Sequence, residues 1–477
     1  MTLIFLMFGG LFGVTLLADA LAWPRGRRQL AALWLHLLII LAAYGLLLAL
    51  CGAPVVAAVA TAALGTALVL VSNAKRAVLG EPLLFTDLVL VGAVFRHPHF
   101  YLSALSRWQI ATILLGAVAL LFLFAWQFGT AAAPHIAGLA LLGAATALLV
   151  ASLSLPPWRR LAPRADAESD VAALGLLPTL LLHWWRWRAT PGPPAGVAGV
   201  PAPPSVALAV LVQCESFADP ADLFDDPALQ LPGLAAAQRA AWMHGRLLVS
   251  GFGAYTMRTE YGVIFGRSES ELGFRRFDPY LTAIHDAGHA LPARLGGAGW
   301  RSLFLHPHDM RFYGRDRILP AAGFAELVGP EAFASPTEGR YVTDDAIADV
   351  IMARAAAARD PMLIHAVTIE NHGPWPADRA GARSRQSSAY LRLVARGDAM
   401  LARLMREIAE LRRPAVLLFY GDHRPSIPGA VEPGGDRHTP FVLLRFGADG
   451  EPIRGTANAT DQTPAELHHA LIAAITA

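Results

Sequence analysis

The sequence predicts two unlike halves: a helical membrane unit of about five spans, followed by an α/β domain with a mainly parallel central sheet. Three observations predict this. The first third of the chain is strongly apolar, a Pro/Gly-rich stretch follows it, and beyond that stretch short Val/Leu/Ile runs alternate with helical patterns.

A mean hydropathy of +0.43 with only 16% charged residues is too apolar for an ordinary soluble chain of 477 residues. Leu3–Trp23, Leu30–Leu50, Val55–Val71, Ile110–Trp126 and Ile136–Leu155 each approach the roughly 20 residues that cross a hydrocarbon layer of ~30 Å. Asp19 is the one Asp, Glu, Lys or Arg inside them. Met1–Met7 carries no positive charge, so the first span is expected to be a retained anchor and not a cleaved signal peptide. Val171–Trp185 is a further apolar stretch, short and containing Pro178. With Trp184, Trp185, Arg186, Trp187 and Arg188 at its end, it is expected to lie at the membrane interface.

The residues between Arg188 and Ser205 hold six prolines and three glycines, and they form the expected linker. Expected boundaries are therefore 1–157 for the membrane unit, 158–204 for the interfacial segment and linker, and 205–477 for the α/β domain. Arg25, Arg27, Arg28, Lys75, Arg76, Arg96, Arg107, Arg159 and Arg160 fall in the expected loops after spans one, three and five. The positive-inside rule would place those loops, and with five spans the second half, in the cytoplasm.

A net charge of +2, with no Arg/Lys block interleaved with aromatics, argues against a nucleic-acid partner. Lys75 is the only lysine, and Cys51 and Cys214 are too few for a disulfide framework.

In the second half, Val206–Val212, Leu303–Leu305, Met362–Val367, Ala415–Phe419 and Phe441–Leu444 are expected strands, and Tyr390–Leu411 an expected helix. Ligands of such sheets gather beyond the carboxyl ends of the strands, where Glu215, His306, His372 and the pair Asp422-His423 fall. A carboxylate beside buried apolar residues is costly unless a cation neutralises it, so Glu215 is a candidate metal ligand, with helix capping or an Arg partner as the alternative. Asp422 and His423, directly after a hydrophobic strand and Gly421, offer a hard oxygen and an imidazole at one point, a set suited to Mn²⁺, Mg²⁺ or Zn²⁺. The glycine-rich stretch 251–262 leads into a helix expected to begin near Thr256. There a hydroxyl meets free N–H groups and the positive helix end, which suits a nucleophile acting on a phosphate. An ordinary N-cap threonine is the commoner use of such a position, and Thr259 lies close enough to compete. Tyr313 and Arg315 in Phe-Tyr-Gly-Arg-Asp, with His306, His372 and His438, complete the candidates for substrate contact.

This pattern resembles the lipoteichoic acid synthase and phosphoglycerol transferase family of the alkaline phosphatase and sulfatase superfamily. The likeness spans the whole chain in organisation, including the stretch from Asn73 to Asp87 between spans. It implies that Glu215, Thr256, Asp422 and His423 bind one divalent metal, most often manganese, and that Thr256 is the nucleophile. Thr256, Glu260 and Tyr261 keep the family's spacing, which favours Thr256 over Thr259. Tyr313, Arg315 and Asp316 match the motif that holds glycerol phosphate, although the family often has Trp at the position of Tyr313. His306 and His372 match phosphate-contacting positions.

The resemblance implies transfer of phosphoglycerol from phosphatidylglycerol to an envelope glycan or glycolipid, with the catalytic domain outside the cytoplasmic membrane, against the charge bias. Phosphoethanolamine transfer is the nearest alternative, but those enzymes usually carry several disulfides in the soluble domain. A sulfatase needs Cys or Ser in a Cys/Ser-x-Pro-x-Arg setting, which does not stand at the nucleophile position. A polymer-binding or transport membrane protein is the alternative of another class, and a transporter would be expected to carry more polar residues inside its spans.

Overall fold

The computed structural model describes residues 2–89, 107–190, 192, 199–200, 202–334, 339–375, 382–455 and 458–477. Arg96 and half of the expected linker lie outside them. The chain divides into two compact units, Met1–Thr190 and Pro191–Ala477.

The first unit is helical: α1 Thr2–Ala20, α2 Leu30–Cys51, α3 Pro54–Leu79, α4 Arg107–Trp126, α5 Ala132–Ser154, α6 Ala167–Leu174 and α7 Leu176–Ala189. Among the described residues α2, α3 and α5 are long and apolar enough to cross a membrane, and Met7–Ala20 and Leu114–Trp126 are shorter apolar stretches. Small residues bring α2 and α5 together, since a Cβ on Gly138 would stand 2.4 Å from the Ala49 nitrogen.

Helix α3 runs eight residues beyond the expected end of its span, so Asn73, Lys75 and Arg76 stand on a helix and not in a loop. Each polar side chain there has a partner. Asn73 brackets Leu21 O and Trp23 N, Lys75 pairs with Asp87, and Arg76 forks onto Glu168. The stretch 171–185 is broken at Gly175, whose φ of +94° ends α6. Pro178 is tolerated because it falls in the first turn of α7. Asp19 is buried here: one carboxylate oxygen accepts the Leu176 N–H and the other pairs with Arg28.

The second unit is built on one seven-stranded sheet, ordered β2-β7-β6-β1-β5-β3-β4. Its strands are β1 Leu208–Cys214, β2 Met243–Leu247, β3 Arg301–Leu305, β4 Glu326–Val328, β5 Met362–Val367, β6 Ala415–Gly421 and β7 Thr439–Phe446. Strands β6, β1, β5, β3 and β4 run parallel. Strands β7 and β2 close one edge in antiparallel pairing. Every residue of β1 is buried, as expected of a central parallel strand covered on both faces.

One face carries the main core. Val210, Val212, Ile364, Leu417 and Phe419 pack there with Leu401, Leu404 and Ile408 of helix α12 (Ala382–Glu410) and Ile347 and Ile351 of α11 (Asp344–Ala357). The remaining labelled helices are α8 Pro232–Ala240, α9 Thr256–Phe265, α10 Arg315–Ala321 and α13 Pro464–Thr476. Helices α9 and α13 pack closely: a Cβ on Gly262 would stand 2.4 Å from Pro464 Cβ.

Candidate metal and phosphoryl-transfer site

The ends of β1 and β6 lie side by side in register, Cys214 opposite Gly421, so the residues that follow each strand meet. A side chain at 421 is not tolerated, because a Cβ there would stand 1.8 Å from the Phe217 carbonyl oxygen. This close approach fixes Asp422, whose Oδ1 accepts the backbone N–H groups of Ser216 (2.8 Å) and His423 (2.9 Å).

Glu215 is held by its backbone N–H donating to Thr368 Oγ1 and by Ser216 Oγ donating to its Oε1. His423 Nδ1 faces the Arg424 carbonyl at 3.1 Å, so its proton lies there and the Nε2 lone pair points toward the two carboxylates. Nε2 lies 3.4 Å from Asp422 Oδ2 and 3.7 Å from Glu215 Oε1. Glu215, Asp422 and His423 are all buried and offer one ligand atom each within 4.8 Å of one another.

Two buried carboxylates and an imidazole lone pair converging on one point are an unfavourable arrangement unless a cation lies between them. Two observations fit a divalent ion. Asp422 Oδ2 is buried without a hydrogen-bond partner. Burial first, and then Asp422, push the Glu215 carboxyl up to about 8. Asp344, also fully buried, is likewise pushed up to about 8 by burial and by Glu370.

Both groups have folded values above their ordinary ones, so between about pH 4.5 and 8 the metal-free folded state binds more protons than the unfolded state. The metal-free protein is therefore expected to lose stability as pH rises through that window. A divalent ion held by Glu215 would have to expel its proton, so apparent metal affinity is expected to rise by about tenfold per unit up to pH ~8 and then level. Calorimetric titration with Mn²⁺ across this range checks the slope, and a flat profile would contradict the ligand set.

Thr256 is the first residue of α9 and is 8% exposed. Before it Tyr255 takes a left-handed conformation (φ 75°, ψ 32°), an uncommon one for a bulky residue, which turns the chain sharply into the helix. Arg258 stacks on the Tyr255 ring at 3.8 Å. The turn is tied to the ligand loop by Gly253 N–H donating to Arg424 O and by Thr259 Oγ1 donating to Asp422 O at 2.8 Å. The two threonines thus differ. Thr259 uses its hydroxyl in a buried structural bond, whereas the Thr256 hydroxyl has no partner among the described residues.

Arg315 is 1% exposed and forks onto the fully buried Glu260, Nε to Oε1 at 3.1 Å and Nη2 to Oε2 at 2.5 Å. Tyr280 donates to the same Glu260 at 2.6 Å. The Tyr313 backbone is left-handed (φ 60°), and its ring stands 5.4 Å from the Arg315 guanidinium. His306 Nδ1 faces Val367 O at 2.9 Å, and burial together with Arg315 holds this imidazole well below its ordinary range, so it is neutral. His372 is half-buried with Nδ1 facing Gly373 O at 2.6 Å, and burial lowers it as well.

His438 stands in a separate cluster: Nε2 faces Asp222 at 3.1 Å, Nδ1 faces Asp436, and Arg424 Nη2 contacts all three. That guanidinium already supplies the positive charge between the two carboxylates. Its neighbour in sequence is the candidate ligand His423, so the cluster braces the ligand loop from outside.

The geometry defines a class, an α/β domain with a buried Glu/Asp/His cluster able to hold a divalent ion beside a helix N-terminus. The family model described as Sulfatase matches residues 207–472. The chain belongs to the sulfatase family. It is 27% identical over 430 residues, 83% of this chain and 78% of the other, to the capsular polysaccharide biosynthesis protein RkpI of Rhizobium meliloti (strain 1021). Its fold is similar across 95% of its length and 96% of the other to the integral membrane lipooligosaccharide phosphoethanolamine transferase A (EptA) of Neisseria meningitidis, with TM-score 0.55 and 12% identity. A phosphoglycerol transferase of Streptococcus pyogenes, GacH, gives TM-score 0.45 and 15% identity over 56% of this chain and 74% of that one. Membership bears out the superfamily expected from the sequence, and the EptA likeness bears out the order of a helical membrane unit before the α/β domain.

Proposed function

We propose that the chain is a metal-dependent transferase that moves phosphoglycerol from phosphatidylglycerol to an envelope glycan or glycolipid, with residues 205–477 as the catalytic domain on the extracytoplasmic side. The observation that carries this reading is the convergence of Glu215, Asp422 and His423 beside a helix that begins at Thr256. These four residues would hold one divalent ion, Mn²⁺ by preference. When bound, it lowers the pKa of the Thr256 hydroxyl and draws electron density from phosphorus.

In the first step Thr256 Oγ, as its alkoxide, forms a bond to phosphorus while the phosphorus–oxygen bond to diacylglycerol breaks. The His372 imidazolium, favoured by the bound anion, gives its proton to the departing alcohol. The phosphoryl oxygens lie at the free N–H groups of the α9 N-terminus. In the second step an acceptor hydroxyl gives its proton back to His372 and bonds to phosphorus, and the Thr256 alkoxide leaves. Tyr313 and His306 are assigned to the substrate side, and Arg315 and His438 are assigned to support it indirectly, through their charged clusters with Glu260 and with Asp222, Asp436 and Arg424.

Three further points support the reading. Sequence similarity to a capsular polysaccharide biosynthesis protein supports a glycan acceptor. Apolar helices precede the domain, so a lipid donor is within its ordinary surroundings. Cys51 and Cys214 are both free and buried, unlike the disulfide-rich phosphoethanolamine pattern. The test is release of labelled diacylglycerol from phosphatidylglycerol and from phosphatidylethanolamine by the detergent-solubilised protein, with and without Mn²⁺. Mn²⁺-dependent release from phosphatidylglycerol alone is expected, and release from phosphatidylethanolamine alone would replace the assigned donor.

A further inference from the structure

A buried hydroxyl with nothing to bond is costly, and where one faces a site it marks a place a ligand atom completes. Tyr341, just ahead of α11, carries such a group: its phenolic oxygen is buried and has no hydrogen-bond partner among the described residues. The ring stands edge-on to the His372 imidazole, with centroids 5.8 Å apart and planes at 64°. The exposed Arg340 places its guanidinium 5.1 Å from the same ring.

The phenol is also within the field of Glu215. Burial raises its pKa, Arg340 opposes that rise and Glu215 adds to it, so the group stays protonated and acts as a donor. No bond joins the phenol to His372 or Arg340, the two side chains that meet its ring. A buried donor left open on a ring that meets the His372 imidazole matches an anionic oxygen that reaches both.

We propose that Tyr341 contacts the substrate directly, its O–H donating to a non-bridging oxygen of the phosphoryl group under transfer. The proposal rests on the phosphoryl-transfer reading and adds a side-chain donor to the backbone N–H groups of the α9 N-terminus. Sequence inspection passes over Tyr341 because it follows no strand and belongs to none of the motifs that carry the resemblance. It also explains why an aromatic alcohol is buried where phenylalanine would pack equally well against His372.

The test uses the full-length, Mn²⁺-loaded protein in detergent, bis(p-nitrophenyl) phosphate as substrate and inorganic phosphate as inhibitor, so that headgroup preference plays no part. Tyr341→Phe keeps the ring against His372 and Arg340 and removes only the donor. The expected result is kcat lower by about 10- to 100-fold, with inhibition by inorganic phosphate weakened by a similar factor and thermal unfolding unchanged. Tyr341→Ala should add little further loss in kcat, since the hydroxyl and not the ring is at issue. Unchanged kcat and phosphate inhibition in Tyr341→Phe would overturn the proposal. A large loss confined to Tyr341→Ala would assign the residue to packing and overturn it equally. Absence of diester turnover by the parent protein would instead overturn the phosphoryl-transfer reading, and this inference with it.

Discussion

Thr256→Ala, purified with its metal, is expected to lose diacylglycerol release by a factor on the order of 10⁴, because the proposed nucleophile is gone while Glu215, Asp422 and His423 remain. The structure makes the neighbouring control informative. Thr259 lies one helical turn on, and its hydroxyl donates to the Asp422 carbonyl from a fully buried position. Thr259→Ala should cost about 1 kcal/mol of stability and leave most of the activity. Thr256→Ser should keep activity within about 100-fold of the parent, since the oxygen stays at the start of α9. Equal loss in Thr256→Ala and Thr259→Ala would mean that the helix start, and not the Thr256 hydroxyl, is what matters. Rates of release from labelled phosphatidylglycerol by the three variants decide it.

Glu260→Ala should have the largest effect on stability. It leaves the Arg315 guanidinium buried without its counter-ion and removes the acceptor of the Tyr280 hydroxyl. Breaking one side of a buried pair typically costs about 3–5 kcal/mol, and for a domain of this size the thermal midpoint should fall by about 10 °C. Arg315→Lys should also be poorly tolerated, because an ammonium cannot reproduce the two parallel bonds to Glu260. Replacing both partners with apolar residues of similar volume should recover much of the stability without recovering activity. That outcome separates the pair's structural cost from the placing of Tyr313 and α10. Melting followed by tryptophan fluorescence, run beside the transfer assay, measures both.

Much of the fold was legible because apolar runs have a physical cause that does not depend on neighbours. Five of the seven strands were visible as short Val/Leu/Ile segments, four because parallel strands inside the sheet are buried and the antiparallel β7 because it too is covered, between β6 and β2. The two others escaped for reasons of the same kind. Strand β2 is an edge strand, Met-His-Gly-Arg-Leu, and β4 has only three residues. The end of α3 was misplaced because Asn73, Lys75 and Arg76 look like a loop until Leu21, Asp87 and Glu168 are seen to satisfy them.

At the candidate site, Glu215, Asp422 and His423 stood out as polar residues at strand ends. What sequence could not supply was pairing in space. Nothing in Thr-x-x-x-Glu says that Glu260 is spoken for by Arg315, or that both nitrogens of His438 face carboxylates. Tyr341 carries no local signal at all, since its interest lies in an oxygen without a partner.

The measurement that tests the central claim most directly is peptide mass spectrometry of the Mn²⁺-loaded protein after brief exposure to phosphatidylglycerol without an acceptor. A glycerophosphoryl group on Thr256, removed when a glycan acceptor is added and absent from Thr256→Ala, is the predicted result. Diacylglycerol release with the group on another residue, or with no covalent protein adduct at any time, would contradict the assignment.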